Sequence, residues 1–135
     1  MSYSHQSAMN AYRTTGASAQ VAAASPHRLV QLMLENVIDR LAAARGHIDR
    51  GRVAEKGEAL SRALAVIDEL NASLDMEKGG ALAVNLRRLY EYSIRRLTEA
   101  NIHSDAAMIG EVQALLRDVK AGWDAISGST RGTGP

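Results

Sequence analysis

The chain has 135 residues, a net charge of +1, no cysteine, and 46% hydrophobic residues of which few are aromatic. That length fits one domain. Its core must be built from Leu, Val, Ile, Ala and Met, a palette that favours helices, and the lack of thiols excludes disulfides and thiolate metal sites.

Balanced charge gives no general attraction for nucleic acid or anionic membrane. No apolar run approaches the ~20 residues of a membrane-spanning helix. The N-terminus has neither a basic start nor a continuous apolar stretch, so no secretory signal is expected.

Residues 1–24 read as a Ser/Ala-rich arm whose large apolar groups, beyond Met1, are Tyr3, Met9 and Tyr12. A short helix over 6–13 is compatible with it. The first long helix is predicted over 26–49. Ser25 is a good N-cap, Pro26 suits the first helical position, and Gly51 is placed to end the helix. Val30, Met33, Leu34, Val37, Leu41, Ala44 and Ile48 form its apolar stripe.

A second helix is predicted over 53–74, with Val53, Leu60, Ala63, Leu64, Ile67, Leu70 and Leu74 inward. Gly79-Gly80 then reads as the reversal, because glycine accepts positive φ. The third helix is predicted over 81–101, with Leu82, Leu86, Leu89, Tyr90, Ile94 and Leu97 inward. Ser104 reads as the N-cap of a fourth helix over 105–126, whose stripe is Met108, Val112, Leu115, Leu116, Val119, Trp123 and Ile126. The tail, 128–135, is rich in Gly, Ser and Thr and is expected to be disordered.

Four amphipathic helices joined by short loops imply an all-α fold, an antiparallel up-down four-helix bundle preceded by a short arm. Such bundles often carry di-metal centres, which need inward Glu and two Glu-x-x-His motifs. None of His5, His27, His47 and His103 has a Glu three residues earlier. Glu99 and His103 form only a single i,i+4 pair. The glycine pair follows no strand and precedes no Lys-Ser/Thr, so it is no phosphate loop. No nucleophile, acid or base constellation stands out, so neither an enzyme nor a cofactor is expected. Arg88 and Arg95 flank Tyr92 on one face of the third helix, but interspersed acids favour a solvated surface with Glu91 pairing Arg95.

The informative anomaly is an excess of apolar side chains. Leu29, Leu32 and Ile38 fall outside the main stripe of the first helix, and Tyr92 falls outside that of the third. A bundle helix touches two neighbours, which accounts for part of this. The remainder suggests grooves that need a cover. The cover could be the chain's own arm through Met9 and Tyr12, another protein's helix, or a second copy in a self-associating bundle.

The sequence resembles the FliS family of flagellin-specific export chaperones. The likeness rests on "AY" at Ala11-Tyr12, "ASPHRLVQLML" from Ala24 to Leu34 and "KGEALSRALAVIDEL" from Lys56 to Leu70. It continues through "LDMEKGGALAVNLRRLYEYSIRRLTEAN" from Leu74 to Asn101 and "GW" at Gly122-Trp123. The sequence departs from the family pattern at Leu34-Glu35-Asn36, where an aromatic, an acid and a glycine are usual.

The resemblance implies a cytoplasmic chaperone that needs no cofactor or ATP. It would bind the disordered C-terminal segment of flagellin, prevent early polymerisation and help deliver the cargo to an export-gate component. It also implies an arm that folds back and shifts on client binding. Neither nucleic acid nor membrane insertion is expected, and the chain should be a monomer or weak homodimer. Helical spacing nominates Met9, Tyr12, Leu29, Leu32, Leu86, Tyr90 and Tyr92 as client-binding residues.

Overall fold

A computed structural model describes residues 24–132, with side chains up to residue 126. The four helices are α1 (Pro26–Asp49), α2 (Val53–Ala72), α3 (Met76–His103) and α4 (Ala106–Gly132). Each packs on its neighbour in sequence, and α4 closes the ring against α1. Bonds between helices fix their directions. Early α2 reaches late α3 through Lys56, and late α4 reaches early α1 through Trp123. The result is an antiparallel up-down four-helix bundle.

Local chemistry sets the helix ends. Ser25 is extended, and its Oγ accepts a hydrogen bond from the Arg28 N–H at 3.1 Å, with Pro26 in the first turn. Gly51, at φ 69°, takes the chain out of α1.

The reversal between α2 and α3 falls at Ser73, Leu74 and Asp75, earlier than the glycine pair where the sequence had placed it. Asp75 is an extended cap whose carboxylate accepts from the Lys78 N–H at 3.0 Å, so the helix starts one turn before the glycines. Gly80 then breaks it. With φ 54° and ψ −135°, a conformation open almost only to glycine, it separates the Met76–Gly79 turn from the rest of α3.

Ser104 does not cap α4 as expected. It is left-handed, at φ 50°, and ends α3, while the carboxylate of Asp105 caps α4 by accepting from the Met108 N–H at 3.1 Å. The α4 backbone continues to Gly132, past the expected end at 126. One glycine within a helix lowers its stability by only ~1 kcal/mol, which is too little to force a stop.

Among the described residues, twenty-three hydrophobic ones form one continuous core, centred on side chains with no exposure such as Leu34, Leu41, Leu60, Leu70, Tyr90 and Leu97. Leu29 and Ile38 belong to it because α1 faces both α2 and α4, so its apolar arc is wide. Val53, expected inward, is 67% exposed at the very start of α2.

Two of the buried polar side chains, Lys56 and Gln113, bond across helices. Lys56 donates from Nζ to the Asn101 carbonyl and to Ser104 Oγ, both at 2.9 Å, and so caps the end of α3 from α2. Gln113 donates to the Ile38 carbonyl at 3.2 Å and accepts from Arg45 at 3.0 Å, tying α4 to α1.

Candidate functional site

The four seams of the bundle are not equivalent. The α1–α2 seam is the most extensive and the α3–α4 seam the least. The α1–α4 seam is closed by apolar packing and by a chain of polar contacts. Asp124 accepts from Gln31 at 2.6 Å and from Lys120 at 2.8 Å, and Arg28 pairs with Glu35 at 3.1 Å. Lys120 first and Gln31 second hold the Asp124 carboxyl below its usual range, while Asp124 and then Glu35 raise Lys120. At the same end of the bundle the Trp123 indole stacks on His27, with centroids 4.6 Å apart, and donates to the His27 carbonyl at 3.1 Å. Late α4 is therefore pinned to early α1.

With α4 held toward α1, the α3–α4 seam divides into two parts. Toward the far end, Glu111 of α4 accepts from the Tyr92 hydroxyl at 2.7 Å and from two Arg96 nitrogens at 3.0 and 2.8 Å. Tyr92 first and Arg96 second hold the Glu111 carboxyl below its ordinary value, and the same bond raises the Tyr92 phenol. Toward the near end the seam opens into a cavity of about 200 Å³. Leu82, Asn85, Leu86 and Leu89 line it from α3, and Asp118, Val119, Gly122, Trp123 and Ile126 from α4.

Most of that lining is apolar carbon. Leu82 is 39% exposed at its edge. A Cβ built on Gly122 would meet nothing within 4 Å, so the missing side chain leaves open space in the wall. Such a groove suits the apolar face of a helix or extended peptide.

Another cavity, about 360 Å³ between α1 and α2, differs in chemistry. Arg40, His47, Glu55, Glu58 and Arg62 line much of it, and Arg62 pairs with Glu58 at 3.2 Å. It reads as a solvated charged face. Among the described residues no three His, Asp or Glu side chains gather as a metal site, and no helix is long and apolar enough to cross a membrane.

Of the client-binding residues nominated from sequence, Leu86 lines the α3–α4 groove. Leu29 and Tyr90 have no exposed surface and sit in the core, so a client would reach them only if a seam parted. Leu32 is partly buried against the core. Tyr92 is half-buried with its hydroxyl committed to Glu111. Met9 and Tyr12 lie outside the described residues.

Helical spacing assigned Leu82, Leu89, Val119, Trp123 and Ile126 to the core and so missed them as groove residues. The available signal was small: Gly122 interrupts the fourth stripe, and the glycine pair sits just before Leu82. The basic face of α3 also differs in detail, since Glu91 pairs with Arg87 at 3.2 Å and not with Arg95.

Comparison with known proteins matches the sequence to a family. The sequence profile of flagellar protein FliS covers residues 8–130. The chain is 49% identical to the flagellar secretion chaperone FliSB of Pseudomonas aeruginosa, over 89% of this chain and 95% of that protein. It is 43% identical to the flagellar secretion chaperone FliS of Salmonella typhimurium, over 90% of each, and 35% identical to that of Escherichia coli, over 84% of each. These are chaperones and not enzymes. The chain belongs to the FliS family of flagellar secretion chaperones.

Proposed function

We propose that this chain is a cytoplasmic chaperone that holds the disordered C-terminal segment of flagellin before export, keeps it from polymerising and helps present it to the export gate. The observation that carries this reading is the α3–α4 groove, an apolar trough at the least extensive seam of the bundle. A segment that assembles through amphipathic helices needs its apolar faces hidden until assembly. A disordered client loses chain entropy as it orders on the groove, so a broad interface still releases its cargo.

Leu86 meets the client directly, together with Leu82 and Leu89. Leu29, Leu32, Tyr90 and Tyr92 back the seams on either side and come into contact as the client widens them. Met9 and Tyr12 of the arm act at the same surface, either displaced by the client or completing its site. Free protein is a monomer or weak homodimer, and neither nucleic acid nor membrane insertion enters the cycle.

Titration with a peptide spanning the flagellin C-terminal segment, followed by calorimetry and circular dichroism, tests this. The expected result is saturable binding with a gain of peptide helix. No binding, or a tight homodimer that buries the groove in sedimentation, overturns it. Gly122→Leu sharpens the test. Leucine is the better helix former by up to ~1 kcal/mol, and its side chain enters the open space at Gly122. The variant should melt no lower than wild type yet lose at least about ten-fold in peptide affinity, the ~1.4 kcal/mol expected from displacing an apolar side chain of the client.

A further inference from the structure

The groove carries one formal charge. Asp118 stands in its α4 wall and Asn85 opposite on α3, while the other lining residues are apolar or glycine. Asp118 makes no hydrogen bond or ion pair among the described residues. The nearest cations in sequence, Arg117 beside it and Arg88 one turn from Asn85, do not pair with it. The neighbouring acids of the same helix are used differently: Asp124 is bonded to Lys120 and Gln31, and Glu111 to Tyr92 and Arg96. The acids that close seams are satisfied within the bundle, and the acid that borders the open groove has no partner among the described residues.

We infer that Asp118, aided by the Asn85 amide, selects client segments that carry a Lys or Arg beside their apolar anchors. This rests on the groove being the client site. A lysine or arginine lays its methylenes along apolar surface while its charged head stays in water. Val119 and Leu89 supply that surface and Asp118 supplies the counter-charge, with the Asn85 carbonyl as a second acceptor. A segment with equal apolar content but an acid at that place meets like charge at the groove wall and is disfavoured. Asp118 therefore sets the register and polarity of the bound helix more than its overall affinity.

The test uses the full chain and synthetic peptides tiled across the flagellin C-terminal segment, with affinities measured at low and high salt. In the tightest peptide, each Lys or Arg is replaced in turn by norleucine or by Glu. One norleucine replacement is expected to weaken wild-type binding about two- to five-fold at low salt, as for a partly exposed ion pair. The same replacement should leave Asp118→Asn unaffected, which is the coupling signature of a direct pair. Asp118→Lys should bind the parent peptide about ten-fold more weakly, with like charges now opposed, and recover on the Glu peptide. Asp118 is exposed, so these variants should fold as wild type, and thermal melting checks that they do. Peptide binding that ignores both substitutions overturns this inference and leaves the client reading standing. Binding to no peptide at all overturns both.

Discussion

Lys56 is 5% exposed near the start of α2. An unpaired ammonium there would be strongly destabilising, and its two bonds to the end of α3 are what make the position tolerable. Ser104, held left-handed by the same turn, leaves the Asn101 carbonyl without an intrahelical partner, and the ammonium fills that role. Lys56→Ala removes the donor, and the orphaned carbonyl and hydroxyl should lower stability by about 1–3 kcal/mol. Urea unfolding checks this. Lys56→Arg, whose planar head cannot reproduce a point-charge cap, should restore only part. A variant within error of wild type would mean that water serves the α3 terminus equally well. Nothing in the sequence marks Lys56, since it reads as one more polar position on an amphipathic helix. Its role arises only when α2 and α3 lie side by side, and that pairing is not local information.

Among the elements, α3 departs most from its expected form, and the cause is a competition between two start signals. Asp75 caps a helix that the glycines then interrupt, so a single helical turn precedes the kink at Gly80. An L side chain at φ 54°, ψ −135° is strained by about 1–3 kcal/mol. Gly80→Ala should therefore destabilise the bundle by that amount, although nothing lies within 4 Å of the added methyl. If the melting temperature rose instead, the Met76–Gly79 turn would have straightened into α3, and peptide helicity measurements would show the change. The apolar stripes, by contrast, were legible. Periodicity of 3.6 placed Val30, Leu41, Leu60, Ile67, Leu97, Val112 and Leu116 inward, and all are buried. Periodicity identifies an inward face without saying how tightly the neighbour packs on it. For that reason Leu82, Leu89 and Val119 read as core although they border a groove, and Leu29, outside the main stripe of the first helix, has no exposed surface.

For the whole molecule the decisive feature is how the α3–α4 seam is held, because the groove widens only if that seam does. Glu111 is its polar clasp. Its carboxylate is held below the ordinary range by the Tyr92 hydroxyl and by Arg96, with Arg95 and Glu99 as the further charges facing these partners. A carboxylate with a depressed folded pKa contributes stability that is present above the unfolded value, about 4.3, and lost as pH falls through the folded value. The Tyr92 phenol is raised, so its contribution is present below about 10 and lost as pH rises through its folded value. The clasp should be closed across neutral pH and loosen on acidification. Asp124, also depressed, gives the α1–α4 seam the same direction of dependence, so wild type alone cannot separate the two. Glu111→Gln keeps an acceptor for Tyr92 and Arg96 but removes the titration. Wild type should lose more stability between pH 7 and pH 3 than Glu111→Gln loses. Hydrogen exchange should place the difference in α3 and α4 amides near residues 92–96 and 108–115. Equal losses in the two proteins would mean that the clasp is solvated too freely to matter, and that apolar packing around Leu86, Leu97 and Leu116 holds the seam without it.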